Sequence, residues 1–236
     1  CACNVGTSHK FFPTLEIHPP QGGVALGSQS GALGGVVLAW AQEQGLGISK
    51  FVSYGNGIDV NQVELLRYFK DDPETKVVAL YIESIRNGRE FMEALEACSK
   101  IKPVVVIKAG RTNVGQRATA SHTGSMAGAD AVYDAAFRQC GAVRVKTVEE
   151  MMDLCTGFVS LPPLNGNRVI IVTNSGGPAV LAADMGEEVG LNMAEVNPKT
   201  VETLKSFLPP HCGFRNPIDL TVAGTEDGYR KTWLTV

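Results

Sequence analysis

The sequence predicts an α/β protein built as two doubly wound parallel-sheet domains, the second incomplete. Three observations predict it. The runs at 24–27, 77–82 and 104–108 are dominated by Val, Ile, Leu and Ala without alternation, as in strands buried on both faces of a parallel sheet. Strand-like and helix-like segments alternate along the chain, often with glycine turns between them. After Leu161-Pro162-Pro163-Leu164-Asn165-Gly166-Asn167, a linker by composition, the pattern restarts with a Ser-Gly turn like the first.

The elements follow in order. A strand at 24–27 passes through Ser28-Gln29-Ser30-Gly31 into a helix over 32–44. A second strand is expected at 50–54, followed by Gly55-Asn56-Gly57 and a helix over 62–70 that Asp72-Pro73 ends. Strand 77–82 and helix 89–99 come next, then the β-branched strand 104–108. Residues 109–125 read as a long polar loop before a helix over 127–140; a short strand at 142–145 and a helix over 148–159 close the first domain. In the second, strand 168–172 leads through Thr173-Asn174-Ser175-Gly176-Gly177-Pro178 into a helix over 179–189, followed by strand 193–196 and helix 198–207. The expected organisation is residues 1–20 as a preceding tail, 21–160 as the first domain, 161–167 as linker and 168–236 as the second, with the chain a piece of a larger protein.

Composition narrows the function. Forty-four per cent hydrophobic residues and a net charge of −3 exclude an intrinsically disordered chain and give no support for a nucleic-acid partner. No run approaches a membrane span. The six cysteines are scattered without a C-x-x-C, as reduced thiols of a cytoplasmic protein are, and no metal site is expected. G-x-G-x-x-G after a strand, the P-loop, the G-x-S-x-G elbow and H-E-x-x-H are all missing.

In an open parallel sheet, ligands gather outside the carboxyl ends of the strands. There the sequence places Ser28, Ser30 and Gly31, then Glu83, then Lys108 and the segment Ala120-Ser121-His122-Thr123-Gly124. Ser30-Gly31 and Ser175-Gly176-Gly177 each open a helix, where free N–H groups and the dipole favour an anion. Ser as an N-cap and Gly as a tight turn explain either one equally well. His122 sits among small residues; a histidine ring with one nitrogen held by an acceptor can attack phosphorus with the other. Glu83 is the acceptor in reach by topology, and an exposed His with an ion-paired Glu is the other reading of the same residues.

The ordered motifs Val24-Ala25-Leu26-Gly27-Ser28-Gln29-Ser30-Gly31-Ala32-Leu33-Gly34, Tyr54-Gly55-Asn56-Gly57-Ile58-Asp59-Val60, Tyr81-Ile82-Glu83-Ser84-Ile85, Lys108-Ala109-Gly110-Arg111-Thr112, Ser121-His122-Thr123-Gly124-Ser125-Met126-Ala127-Gly128 and Asn216-Pro217-Ile218-Asp219-Leu220-Thr221 resemble those of NDP-forming acyl-CoA synthetases, the superfamily of succinyl-CoA synthetase. The resemblance implies flavodoxin-like domains and reversible ligation of a carboxylic acid to coenzyme A through an acyl phosphate. It implies that His122 carries the phosphoryl group and that Glu83 orients it. Ser28, Ser30, Gly31, Ser175, Gly176 and Gly177 would bind phosphate, and Gly115, Gly124 and Gly128 would let the histidine loop move. It further implies an ATP-grasp domain or subunit that binds ATP or ADP with Mg²⁺, a preceding coenzyme A-binding domain, and an oligomer. A regulatory region of a synthetase-like protein acetyltransferase, which binds without ligating, is the competing reading.

Overall fold

The computed structural model describes residues 4–12, 17–123 and 129–236, without the side chains of residues 120–123. The chain divides into two compact units, Cys1–Pro162 and Pro163–Val236.

Unit 1 is wound around a six-stranded sheet. Its strands are β1 (Asn4–Gly6), β2 (Gln21–Ser28), β3 (Ile48–Ser53), β4 (Val77–Ile82), β5 (Val104–Lys108) and β6 (Val143–Val145), in the spatial order β1-β3-β2-β4-β5-β6. Pairing is parallel except for β1, which runs antiparallel to β3 at the edge, Val5 opposite Phe51. The sequence reading gave residues 4–6 no strand. Three residues are too few for an alternation to show, and their hydrogen bonds come from β3, far away in the chain.

The helices α1 (Gly31–Gln44), α2 (Gln62–Asp71), α3 (Gly88–Ser99), α4 (Asn113–Thr123), α5 (Asp130–Gln139) and α6 (Val148–Ser160) connect the strands. Side chains along each strand alternate between two apolar layers. Leu26, Ala79, Val105 and Ile107 face α1 and α6, packing with Leu38 and Met151; Ala25, Leu80, Ile82 and Val106 face α2, α3 and α5, packing with Leu66, Leu95 and Phe137. Both faces of the sheet are therefore dry, which is why the strands read as continuous apolar runs. Helix α1 lies close against Phe51 because position 34 is glycine: a Cβ there would stand 2.3 Å from the ring.

Within the long loop expected over 109–125, the described residues 109–123 form instead a short turn and a helix. Gly110, at φ +73°, turns the chain out of β5, and the Thr112 hydroxyl accepts from the Gly115 N–H at 3.1 Å as the N-cap of α4. His122 and Gly115 thus stand on helical backbone, and Gly115 is a first-turn helix residue rather than a loop hinge. Gly124 and Gly128 lie outside the described residues.

Unit 2 has two-residue strands β7 (Arg168–Val169), β8 (Val172–Thr173), β9 (Asn192–Met193) and β10 (Ile218–Asp219), with helices α7 (Gly176–Glu188), α8 (Pro198–Lys205) and α9 (Glu226–Thr235). The single strand expected at 168–172 is interrupted. The carbonyls of Asn167 and Val169 accept from Asn192 and Ala194, while those of Ile171 and Thr173 accept from Ile218 and Leu220. One edge of this segment thus changes partner half-way. The Asn216 carboxamide fills the junction: its Oδ1 accepts from Ile171 N–H at 2.9 Å, and its Nδ2 donates to the carbonyls of Val169 at 2.8 Å and Ala194 at 3.0 Å. The core is small, centred on Leu204, Leu208, Cys212, Ile218 and Leu220.

Candidate active site

The strand order places the switch point of unit 1 beside β2. The chain leaves β2 for β3 on one side and later returns to β4 on the other, so the connections diverge at the carboxyl ends of β2 and β4, the place where ligands gather in sheets of this kind. The residues after those two strands build the site.

At the end of β2, Ser28 is fully buried. Its hydroxyl donates to the Ser30 carbonyl at 2.6 Å and accepts from the Ser30 N–H at 3.2 Å. Ser28 therefore braces the turn from inside. The Ser30 hydroxyl accepts from Leu33 N–H at 3.3 Å, capping α1. Gly31, the first helical residue, is half-buried. The start of α1 is thus a formed, capped helix N-terminus at the switch point.

At the end of β4, Glu83 is buried at 6% exposure. The Tyr81 hydroxyl, two residues earlier on the same face, hydrogen-bonds the Glu83 side chain. Burial, then the Glu83 charge, pushes the Tyr81 phenol up to about 12. Tyr54, whose hydroxyl donates to the Tyr81 carbonyl at 3.3 Å, is also pushed up, by burial first and by Glu83 second. The backbone N–H of Glu83 donates to the Gln29 side chain at 2.8 Å. Sequence reasoning missed Gln29; the signal was a long amide between two serines of a strand-to-helix turn.

Lys108 ends β5, in register with Ile82, and is 1% exposed. Its ammonium donates to the Ala109 carbonyl at 2.5 Å and lies 4.4 Å from the centre of the Tyr133 ring. Burial lowers its pKa and Arg144 adds to the effect, against the opposing pull of Asp130 and Glu83. Helix α4, with His122 in its last turn, begins five residues after Lys108.

In unit 2 the hydroxyl of Thr173 bridges Ser175, accepting from its N–H at 3.1 Å and donating to its carbonyl at 3.2 Å. Gly176 opens α7, and Gly176 and Gly177 are exposed. Asp219, at the end of β10, lies alongside: a Cβ on Gly176 would sit 3.5 Å from its Oδ2.

Residues 21–158 match the family described as the succinyl-CoA ligase like flavodoxin domain. The chain belongs to that family. Residues 169–234 match a second family, the Ligase-CoA domain. The chain is 44% identical over 232 residues to the alpha subunit of an ADP-forming acetate–CoA ligase II of Pyrococcus furiosus, covering 98% of this chain and 50% of that protein. It is 37% identical to an ADP-forming 4-hydroxybutyrate–CoA ligase of Nitrosopumilus maritimus, over 87% of this chain and 30% of that one. Among solved structures, a dinucleotide forming acetyl-coenzyme A synthetase 1 of Ca. Korarchaeum cryptofilum, in complex with phosphate and ADP, matches with a TM-score of 0.90 at 38% identity, over 98% of this chain and 51% of that chain. The chain thus spans from under a third to about half of the length of these relatives.

Among the described residues, no helix is long and apolar enough to cross a membrane. The described cysteines, Cys98, Cys140, Cys155 and Cys212, are free and buried; Cys1 and Cys3 lie outside the described residues.

Proposed function

We propose that this chain is the phosphohistidine part of an NDP-forming acyl-CoA synthetase, an acid–thiol ligase. Phosphate displaces coenzyme A from an acyl-CoA to give an acyl phosphate and free thiol. His122 then attacks the phosphorus, releasing the carboxylic acid and forming phosphohistidine. ADP takes the phosphoryl group to become ATP, and His122 is free again. Run backwards, the same steps make acyl-CoA from acid, coenzyme A and ATP. Glu83 orients the His122 ring and balances the charge it gains. The N–H groups at the start of α1, from Gly31 onward, hold the phosphoryl oxygens, a preorganised set of donors of the kind that dominates phosphoryl transfer. Ser28 supports these donors from behind. In unit 2, Ser175, Gly176 and Gly177 form a second anion-binding helix start.

The observation that carries this reading is the switch point of a family-matched domain, where the turn that opens α1 is hydrogen-bonded through the Gln29 side chain to the backbone of Glu83, a buried carboxylate residue. The names of the relatives favour ADP over GDP, and a small carboxylic acid as substrate. ATP or ADP with Mg²⁺ is assigned to an ATP-grasp domain or partner subunit, so the working enzyme is an assembly. Free buried thiols fit a reducing cytoplasm.

The test is phosphoryl labelling of the enzyme assembled with its nucleotide-binding partner. Incubation with labelled ATP and Mg²⁺ should place an acid-labile, alkali-stable label on His122. His122→Asn should abolish the label, and Glu83→Gln should slow labelling by about 100-fold. A fully labelled His122→Asn enzyme would refute the mechanism.

A further inference from the structure

The strand-to-helix turn after β2 holds a group that the phosphate site itself does not need. Gln29 lies between the brace, Ser28, and the cap, Ser30, and is 8% exposed. Its N–H donates to the Tyr81 carbonyl at 3.0 Å, extending the β2–β4 ladder past the last paired residues. Its side chain then turns to the end of β4. Oε1 accepts from the N–H groups of Glu83 at 2.8 Å and Ser84 at 3.0 Å, and Nε2 donates to the Ser84 hydroxyl at 3.1 Å. On its other side β4 pairs with β5 only as far as Ile82. Gln29 therefore continues the sheet's hydrogen bonding where β2 has already turned into α1.

Unit 2 supplies the control. There Thr173 braces Ser175 as Ser28 braces Ser30, and Asn174 occupies the place of Gln29. Asn174 is exposed, and the neighbouring strand end is held differently, with Asp219 Oδ1 accepting from Thr221 N–H at 2.9 Å. The turn thus forms on the brace alone, and the amide clamp of unit 1 is an addition to it.

We propose that Gln29 is a positioning residue of the phosphoryl-transfer site, fixing Glu83 relative to the N-terminus of α1. The proposal rests on the phosphohistidine reading above. The carboxylate that orients His122 and the N–H groups that hold the phosphoryl oxygens must keep one separation, and a displacement of about 1 Å in such a site costs about 100-fold in rate. Gln29 is rooted in the second and bonded to the backbone of the first, so it sets that separation.

The experiment uses the enzyme assembled with its nucleotide-binding partner. Gln29→Met keeps the side-chain length and removes every polar atom of the clamp. It should lower kcat and the rate of His122 labelling by about 100-fold, with KM for acid, coenzyme A and ATP within about twofold. Gln29→Glu keeps an oxygen that accepts from both N–H groups and should recover at least about a tenfold part of the loss. Gln29→Asn, one methylene short, should resemble Gln29→Met, and stands in for it if that protein does not fold. Labelling at the wild-type rate in Gln29→Met or Gln29→Asn overturns the inference. So does a loss spread equally over kcat and every KM with no recovery in Gln29→Glu. His122→Asn separates the two levels. If it remains labelled, the phosphohistidine reading fails; if it is unlabelled while Gln29→Met is normal, only the role of Gln29 fails.

Discussion

In unit 1 the Ser28 hydroxyl bridges the N–H and carbonyl of Ser30; in unit 2 the Thr173 hydroxyl bridges those of Ser175. The same local chemistry opens α1 and α7. What surrounds it differs. The first turn leaves a sheet of five parallel strands with both faces buried. The second leaves two-residue ladders over a five-residue core, and α7 keeps Val180, Leu181 and Met185 exposed. Local sequence is sufficient to make a helix N-terminus. Both turns have a carboxylate residue at the end of the neighbouring strand, Glu83 in unit 1 and Asp219 in unit 2, but only in unit 1 is that strand end hydrogen-bonded to a side chain of the turn, Gln29.

The contrast sharpens most at Asn216. In unit 1 the ladder is backbone to backbone, so no single side chain maintains it. In unit 2 one carboxamide makes three hydrogen bonds where β9 gives way to β10. Asn216→Ala leaves the Ile171 N–H and the carbonyls of Val169 and Ala194 without these partners. The Val169 carbonyl keeps the Ala194 N–H, so the Ile171 N–H and the Ala194 carbonyl carry the loss, and unit 2 should be destabilised by about 2 kcal/mol, since each unmet backbone group costs about 1–3 kcal/mol and water reaches these half-buried ones. Hydrogen exchange should accelerate at Ile218 and Leu220 and stay unchanged at Leu80 and Val106. Equal acceleration in both units would show that they unfold together, and the contrast would break.

A smaller effect separates the ion pairs of the two units. In unit 1, Lys50 bonds Asp72 at 2.8 Å and Glu74 at 2.6 Å, and the Thr75 hydroxyl also donates to Asp72. Burial opposes the charge on Asp72, but the bonds from Lys50 and Thr75 outweigh it and hold its pKa below 3.8. In unit 2, Lys231 and Arg230 hold Asp227 low as well, yet all three side chains are about half or more exposed. A carboxylate whose folded pKa is depressed stabilises fully above its unfolded value and loses that contribution as pH falls through the folded one. Asp72→Asn should cost about 1–2 kcal/mol at neutral pH. It should also flatten the fall of stability below about pH 4, read from urea midpoints across pH. Asp227→Asn should leave the acid limb where it is, because exposed pairs contribute little.

How far the sequence foretold all this follows from where each signal lies. Strands 77–82 and 104–108 were legible to the residue because burial on both faces keeps them apolar apart from Tyr81 and the terminal Lys108. Helix α2 was legible within one residue: Asn61 caps it with a capping box and its apolar face is regular. That β2 and β4 end side by side was legible as well, since topology alone sends the segments after them, with Ser30, Gly31 and Glu83, to one edge of the sheet. The split of 168–173 was not, because it depends on Asn216, more than forty residues later. Nor was Gln29, whose role exists only once β4 lies beside β2. Helix α4 was missed for a different reason. It carries one large aliphatic residue, Val114, which is 68% exposed, so no stripe marks a helix.

That last element gives the smallest and most local test. Helix α4 has no aliphatic stripe to dock and contains Gly115 in its first turn, so its start depends on local bonds. Thr112 supplies them, its hydroxyl taking the Gly115 N–H and its carbonyl the Gln116 N–H at 2.7 Å. Gly115 is suited to the place, since a Cβ there would lie 3.3 Å from Gly110 Cα. Thr112→Ala removes the cap and should cost about 1 kcal/mol, confined to α4. Amide exchange at residues 115–118 should quicken about fivefold while the global urea midpoint moves little. Thr112→Ser keeps the hydroxyl and should restore the wild-type rate. Asn61→Ala, which removes a cap from the well-packed α2, should show less local fraying, because Leu65, Leu66 and Phe69 still anchor that helix. If α2 frays as much as α4, capping rather than packing governs both helix starts, and α4 owes nothing special to its lack of an apolar face.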